Sequence, residues 1–318
     1  MNILKKLRQE MIILLFRPLI VREVWGWGKI YQIFVGDYEK NQVWENAKKR
    51  TIRGKLNGYM MELDISQWSA RSAFFLGRWY DLHTQKLLVQ VLKKGDEVID
   101  IGANIGMFSL AASHIVGREG IVHAFEPNPR HLEQLNRNIE INQIDNIRVY
   151  PVGLGETDGQ FNLYVPNINS GEGSLAPVNY GDDECDELKV TVKVGDDLLQ
   201  ETAPRLIKID VDGAEVGVLK GIFKLINKQK PLIAIEYVPA YLNRFGNCIE
   251  DILAIADEHS YKAFKMDLAK VKGSYELSYI PIEGLQLEDN CAILLGHVED
   301  PYISCFEQDQ TRKTFDSF

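Results

Sequence analysis

The sequence has 318 residues, enough for one α/β domain with an appendage or for two domains. Apolar residues make up 45% and charged residues 25%, a balance that excludes intrinsically disordered and fibrous proteins. A net charge of −9 disfavours a general nucleic-acid binder held by phosphate contacts. The four cysteines form no Cys-x-x-Cys pair, so there is no zinc signature, and their spacing is typical of reduced thiols in a cytoplasmic protein.

Positive charge and tryptophan are both concentrated near the N-terminus. Residues 1–56 carry 12 Lys and Arg against 5 Asp and Glu, a net charge of +7, so the remainder has a net charge of −16. The apolar run Met11–Phe16 is interrupted by Arg17 and Pro18, which argues against a signal peptide and against a membrane span. We expect an amphipathic helix that either packs on its own domain or makes weak contact with an anionic membrane surface. All five tryptophans lie in the first quarter of the chain: Trp25, Trp27, Trp44, Trp68 and Trp79.

The pattern of apolar residues changes along the chain. Residues 1–90 show helical and irregular patterns, and we assign 1–77 to a helical, Trp-rich N-terminal extension. From residue 95 short apolar runs alternate with helix-period stretches, which predicts βαβ units in a Rossmann-like α/β fold with a doubly wound, mostly parallel, seven-stranded sheet. The main domain is predicted to span 78–300, followed by a tail, 301–318. The seven predicted strands are 97–101, 121–126, 147–152, 206–211, 232–236, 261–266 and 291–295.

An insertion, 160–194, separates the third and fourth predicted strands. Two β segments flank the polar loop Asn167–Glu187, which is long for a compact domain. A substrate lid, an antiparallel insertion and a solvated surface loop all fit this pattern.

A glycine-rich turn follows the first predicted strand. Its Gly-x-x-x-Gly spacing, Gly102 to Gly106, differs from the Gly-x-Gly-x-x-Gly of dinucleotide-binding enzymes. Glycines let the backbone approach a ligand closely, and the N-terminus of the next helix offers unpaired N–H groups. Glu126 closes the second strand about 20 residues further on, where a carboxylate accepts both hydroxyls of an adenosine ribose and repels the 2′-phosphate of NADP.

These features predict a cofactor that contains adenosine. The acidity around Asp100 suits the ammonium and sulfonium groups of S-adenosylmethionine (SAM), and the N–H groups of the turn suit its carboxylate, which ranks SAM above NAD. The candidate cofactor-binding residues are Asp100, Gly102, Asn104, Gly106, Glu126, Asn128 and Gly153.

Charged residues converge at the ends of the fourth and fifth predicted strands. Lys208 and Asp210 alternate along the fourth strand, Asp212 and Glu215 follow where the chain turns into a helix, and Glu236 closes the fifth strand. Burying unpaired charge is costly, so these side chains must pair with one another, bind a metal or face a wet pocket. A structural salt bridge of Lys208 is the simplest alternative.

At these residues the sequence resembles the FkbM-type family, a branch of the class I SAM-dependent methyltransferases, over roughly residues 78–240. The resemblance depends on three blocks in order, Val98–Gly106, Ala124–Pro129 and Ile207–Glu215. Two positions depart from the family pattern, since Asp212 replaces a usual Glu and Gly195 replaces the Leu of a Leu-Asp-Asp motif. The resemblance implies a class I methyltransferase fold and O-methylation of a hydroxyl, commonly on sugars or polyketide-like natural products.

Our leading hypothesis is therefore a SAM-dependent O-methyltransferase. Asp210 or Glu236 would take the acceptor proton, and Lys208 would stabilise the developing alkoxide. Alternatively, Asp210, Asp212 and Glu236 would hold Mg²⁺ or Mn²⁺. The tryptophans, with Tyr80 and the polar loop, suggest a glycan acceptor, although tryptophans in one segment also serve simply to pack it.

Two other functions remain open from the sequence. A nicotinamide-dependent sugar oxidoreductase or epimerase would share the fold, but the glycine spacing disfavours it. A non-catalytic adapter that retains the fold would use the basic N-terminal segment for binding and would not bind SAM. The acceptor and the oligomeric state are not predicted.

Overall fold

The structure is a computed structural model that describes residues 2–21, 27–36, 41–55, 58–166, 171–178, 185–271 and 274–307. The N-terminal region begins with three helices, α1 (Asn2–Ile20), α2 (Trp27–Phe34) and α3 (Asn41–Trp44). An antiparallel hairpin follows, formed by β1 (Lys49–Arg53) and β2 (Met60–Asp64). The prediction of a purely helical and irregular segment was therefore wrong at this hairpin. Two more helices, α4 (Trp68–Leu76) and α5 (Leu82–Val91), lead into the main sheet.

The main sheet contains eight strands in the described part of the chain, in the order β12-β11-β13-β10-β9-β3-β4-β5. Strands β3, β4, β5, β9 and β10 are parallel to one another, and β13 is antiparallel to β10 on one side and to β11 on the other. The Rossmann-like, mostly parallel α/β fold is thus confirmed. The strands are β3 (Glu97–Ile101), β4 (Ile121–Phe125), β5 (Ile147–Tyr150), β9 (Pro204–Ile209), β10 (Leu232–Tyr237), β11 (Tyr261–Val271), β12 (Ser274–Pro281) and β13 (Cys291–His297).

The predicted number of seven strands was one too few, because β12 was missed. This strand lies at the edge of the sheet and pairs only with β11. Within it Leu277 is fully buried, whereas Tyr275 is exposed and Tyr279 is half-buried. An edge strand with one fully buried side chain has only a weak alternating pattern.

The strands of the insertion, together with the short strand β6 that precedes it, form a separate three-stranded sheet in the order β6-β8-β7. Strand β6 (Gly153–Leu154) pairs in parallel with β8 (Cys185–Lys193), which is antiparallel to β7 (Gly159–Pro166). The antiparallel insertion is therefore what the structure shows. Residues 167–170 and 179–184 of the predicted polar loop lie outside the described residues.

The remaining helices connect the strands. Helix α7 begins at Pro129, because Asn128 Oδ1 accepts a hydrogen bond of 3.0 Å from Arg130 N and proline suits the first helical position. The helices are α6 (Met107–Val116), α7 (Pro129–Ile141), α8 (Gly195–Leu198), α9 (Glu215–Gly221), α10 (Phe223–Gln229), α11 (Pro239–Leu242), α12 (Ile249–Glu258) and α13 (Pro301–Glu307).

The tryptophans of the N-terminal region have two different environments. Trp44 is fully buried, with Phe75 edge-on at 5.3 Å between ring centroids, and the Trp27 indole donates a hydrogen bond of 2.7 Å to the carbonyl of Phe75. Trp68 and Trp79 instead line a cavity, and Trp25 lies outside the described residues. Buried side chains of this region and of β3 and α6 form one hydrophobic core, so the segment packs directly against the sheet. Among the described residues, no helix combines the length and apolar character needed to cross a membrane.

Candidate active site

The strand order reverses between β3 and β9, and a cavity of about 310 Å³ opens beyond the carboxyl ends of these two strands. Ligands of open α/β sheets bind at this kind of switch point. The walls come from the ends of β3, β4, β9 and β10, from the starts of α4 and α5, and from residues 171–175 of the insertion. The insertion therefore contributes residues to the cavity wall.

The glycine-rich turn forms the floor of the cavity because it passes very close to the neighbouring strand. Gly102 has a φ of +80°, and a Cβ atom at this position would lie 1.9 Å from the carbonyl oxygen of Asp210. The amides of Gly102 and Ala103 both donate to the carbonyl of Phe125. Asn104 also has a positive φ, of 52°, so the backbone of the turn adopts a conformation that residues other than glycine, asparagine and aspartate disfavour.

Glu126 is buried in the cavity wall and is held by backbone amides from two loops. Its Oε2 accepts from Asn104 N at 2.7 Å, and its Oε1 accepts from Asn128 N at 2.8 Å. His131 Nδ1 lies 3.6 Å from the same Oε1. Each carboxylate oxygen has two lone pairs, so both oxygens retain capacity to accept a hydroxyl from a ligand. A carboxylate fixed in this way is suited to bind a diol.

Lys208 is a residue of β9, and its ammonium group contacts groups at the ends of both β3 and β9. Its Nζ donates to the carbonyl of Gly102 at 2.8 Å and lies 3.0 Å from Asp210 Oδ2 and 3.4 Å from Asp100 Oδ1. Burial alone would lower the pKa of Lys208, but the charges of Asp210, Asp100 and Glu236 raise it above its ordinary value. The lysine is therefore a permanent ammonium whose donors are directed at protein groups.

Asp100 is not among the residues that line the cavity. Its carboxylate is fully buried, accepts a hydrogen bond of 2.5 Å from Ser109 Oγ and faces Lys208. In the register of the sheet, Asp100 is paired with Lys208 across β3 and β9. The structure therefore places Asp100 behind the cavity wall, where it holds the lysine, and not in reach of a cofactor ammonium group as the sequence predicted.

Asp210 and Glu236 form a hydrogen-bonded carboxyl pair that faces the cavity. Burial opposes ionisation of Asp210, but Lys208 and the hydrogen bond from Glu236 hold the pKa of Asp210 below its ordinary value. The charge of Asp210, with burial and the charges of Asp212 and Asp81, raises the pKa of Glu236 well above the ordinary range. When the pair holds one proton, that proton therefore resides on Glu236 and is donated to Asp210.

Two further carboxyls follow β9, and they differ in position. Asp212, with φ of +50°, lines the cavity and accepts a hydrogen bond of 2.9 Å from Gly173 N of the insertion. Burial, followed by the charge of Asp210, raises the pKa of Asp212 well above its ordinary value. Glu215 is buried away from the cavity, accepts from Gly213 N at 3.1 Å, and has a pKa raised by burial to about 7.

The metal alternative finds no support in this geometry. Within the described ranges, no three His, Cys, Asp or Glu side chains are grouped as a metal site requires. The charge of Asp210 is instead balanced by the Lys208 ammonium. The prediction that Asp210, Asp212 and Glu236 hold Mg²⁺ or Mn²⁺ is therefore not supported.

Aromatic side chains form a further part of the cavity wall. Trp79 packs against Tyr80 with ring centroids 4.3 Å apart, and Trp68 meets the same tyrosine edge-on at 5.8 Å. Burial of the hydroxyl end, followed by the charges of Glu236, Asp210 and two further aspartates, raises the pKa of Tyr80 well above its ordinary value. Although 41% of the Tyr80 residue surface is exposed, its hydroxyl thus faces the acidic end of the cavity.

Most residues that the sequence singled out meet at this cavity, but not all do. Gly106 packs against α7, where a Cβ would lie 2.6 Å from a methyl of Leu135. Sequence reasoning missed several wall residues, notably Asp81, which caps α5, and Glu172 of the insertion. The predicted residues found on the wall are Gly102, Asn104, Glu126, Asn128, Gly153, Lys208, Asp210, Asp212 and Glu236; those found off it are Asp100, Gly106 and Glu215.

The fold and the glycine-rich cavity at its switch point are those of a class I methyltransferase-type Rossmann-like domain. The sequence profile of the methyltransferase FkbM domain matches residues 100–263, more than half of the chain. The protein therefore belongs to the FkbM methyltransferase family.

Individual relatives match over a part of their length. Methyltransferase 1 of Beauveria bassiana is 31% identical over 144 residues, which cover 39% of this chain and 57% of that protein. Hexuronic acid methyltransferase AglP of Haloferax volcanii is 28% identical over 142 residues, covering 43% and 54%. The match thus spans little more than half the length of these relatives. The solved structure of methyltransferase FkbM from Methylobacillus flagellatus aligns at 16% identity with a TM-score of 0.38, covering 84% of this chain and 60% of that chain.

Proposed function

We propose that the protein is a SAM-dependent O-methyltransferase that acts on a hydroxyl of an uncharged sugar or related natural product. The observation that carries the proposal is the position of Glu126, a buried carboxylate on the cavity wall whose two oxygens are fixed by backbone amides and remain able to accept a diol. This is the arrangement that an adenosine ribose requires.

The cavity also fits the rest of such a cofactor. Gly102 leaves room that a side chain would fill, and the N-terminus of α6 follows the turn and offers backbone N–H groups for a carboxylate. Its volume of about 310 Å³ lies in the range of small-molecule sites. Bound at this site, SAM would supply an electrophilic methyl group.

The Asp210–Glu236 pair is the proposed proton acceptor for the substrate hydroxyl. While the pair holds one proton, its capacity to take a second is low, because ionised Asp210 is stabilised by Lys208. Loss of the Glu236 proton leaves a carboxylate of raised pKa on the cavity wall, which makes it an effective general base. The N–H donors of Lys208 Nζ are all directed at protein groups. We therefore assign Lys208 a positioning role and not direct contact with the alkoxide.

The charge of the cavity wall defines the acceptor class. Six carboxyl side chains line the cavity, and the pKa values of two of them, Asp212 and Glu236, are raised. Among the described lining residues the only basic groups are Lys208 and His131, both already beside carboxylates. An acceptor with its own carboxylate or phosphate would therefore be buried without a basic partner on this wall, which is costly. The aromatic wall of Trp68, Trp79 and Tyr80 offers flat faces for the C–H surface of a sugar.

Methyl transfer to defined acceptors tests the proposal. The protein would be incubated with SAM and a panel of neutral sugars, uronic acids and neutral polyketide alcohols, and products would be searched by mass spectrometry for a gain of one methyl group. We expect methylation of neutral acceptors, with uronic acids methylated much more slowly. Exclusive methylation of anionic acceptors would refute the assigned acceptor class, and a protein that neither binds SAM nor transfers a methyl group would favour the adapter.

The general base is tested by the pH dependence of turnover with the acceptor found in this way. We expect kcat/KM to rise with pH as Glu236 loses its proton, and Glu236→Gln to abolish the rise and lower kcat roughly 10²–10⁴-fold while SAM affinity stays near that of the wild type. Glu133→Gln, at an exposed position on α7, is the matched control. Full activity of Glu236→Gln would remove this carboxyl from the mechanism.

A further inference from the structure

Helix α1 is apolar on two opposite faces, and only one of them is covered. Phe16 and Ile20 are buried against the core, together with Gln9 on the same face. On the opposite face four apolar side chains at three- and four-residue spacing are exposed by more than half: Leu4 (76%), Leu7 (56%), Met11 (67%) and Leu14 (72%). A helix with two apolar stripes requires a partner for each.

Neighbouring residues extend this surface. Leu15 and Val21 are also exposed, next to this stripe along the chain. We name the set the N-terminal apolar face: Leu4, Leu7, Met11, Leu14, Leu15 and Val21. An exposed apolar patch of this kind marks an interaction site.

The charges around this face are basic. Lys6, Arg8, Arg17 and Lys29 are exposed, and within the part of the chain that the structure describes none of them forms an ion pair. The surrounding segment 1–56 has a net charge of +7, whereas the remainder has −16. An apolar stripe flanked by unpaired Lys and Arg is complementary to a surface that combines hydrocarbon with negative charge.

We propose that the N-terminal apolar face docks on the surface of an anionic lipid bilayer, with α1 lying in the plane of the interface. Leu7, Met11 and Leu14 would enter the boundary between headgroups and acyl chains, while the basic side chains contact lipid phosphates. A second copy of the chain is the less favourable partner. A two-fold dimer through this face would bring the same basic rims together, and like charges repel.

Vesicle co-sedimentation of the whole chain tests the proposal. The probes are vesicles of phosphatidylcholine alone and of phosphatidylcholine with phosphatidylglycerol. We expect binding to the anionic vesicles that weakens as salt rises, and little binding to the neutral ones. Leu7→Gln with Leu14→Gln should weaken partitioning roughly tenfold for each leucine, because each replaced side chain loses the free energy of burying its apolar surface. Lys6→Gln with Arg17→Gln should weaken it roughly fivefold per charge at low salt.

Matched controls distinguish binding through the N-terminal apolar face from nonspecific adsorption to vesicles. Val89→Gln and Leu198→Gln remove exposed apolar side chains elsewhere and should leave vesicle binding unchanged. Circular dichroism should show equal melting temperatures for all variants, since every substituted side chain is exposed. Equal binding of the leucine double variant and the wild type would overturn the proposal. So would sedimentation velocity showing a dimer that the double variant dissociates, in the absence of vesicle binding.

Discussion

The raised pKa of the buried Glu215 carboxyl predicts how the unfolding free energy changes with pH. Its pKa is raised from 4.5 to about 7 in the folded protein, chiefly by burial. The folded state therefore keeps the proton up to a higher pH than the unfolded state does. The stabilisation that this pKa difference contributes is fully present below the pKa of Glu215 in the unfolded state. It is lost as pH rises through the pKa of Glu215 in the folded state. Glu215→Gln removes this titration while keeping an oxygen that accepts from Gly213 N.

The size of the effect follows from the two pKa values. Between pH 5 and pH 8 the wild type should lose roughly 2–3 kcal/mol of unfolding free energy through this group, and the Gln variant should lose none of it. Other titrating groups are common to both proteins and cancel in the difference. Urea denaturation at half-unit pH intervals measures it, with Glu133→Gln as the exposed control. A difference between Glu215→Gln and wild type that stays constant with pH would refute the reasoning.

Two further predictions concern the residues that shape the site. Lys208→Met leaves buried carboxylates without a counter-charge and should cost about 3–5 kcal/mol of unfolding free energy. Its control, Lys220→Met, removes an exposed surface ion pair and should cost under about 1 kcal/mol. Similar losses for the two variants in urea denaturation would contradict this. Gly102→Ala places a Cβ 1.9 Å from the Asp210 carbonyl oxygen and should abolish SAM binding in calorimetry. Gly95 has a similar positive φ but open space around it, so Gly95→Ala should retain SAM binding. Normal SAM binding by Gly102→Ala would show that the turn is not the cofactor floor.

The elements predicted well are those whose signals are local. Strand β3 has the predicted bounds and β4 ends one residue before its predicted end, because an apolar run that ends at a turn is recognised within a few residues. The hairpin of β1 and β2 and the edge strand β12 were missed. Their strands bury few side chains or depend on partners outside the local segment, such as Gln134 of α7, whose amide donates to Glu62 of β2.

The convergence of Lys208, Asp210 and Glu236 was also predictable, because the carboxyl ends of adjacent parallel strands meet at one edge of a sheet. The position of Asp100 was not. Whether it faces the cavity or Lys208 depends on the register between β3 and β9, which no local pattern encodes. The aromatic wall likewise arises from the packing of α4 and α5 against the sheet. Sequence spacing identified the tryptophans but not which of them reach the cavity.

Titration calorimetry with SAM and with NAD is the most direct test of the central claim, which is that this cavity binds the adenosine part of a cofactor through Glu126. We expect SAM to bind and NAD not to bind. Glu126→Gln should weaken SAM affinity roughly 10–100-fold, since it loses charged hydrogen bonds to the ribose, with Glu133→Gln unchanged. NAD binding without SAM binding, or equal SAM affinity in the wild type and Glu126→Gln at equal melting temperatures, would contradict the account.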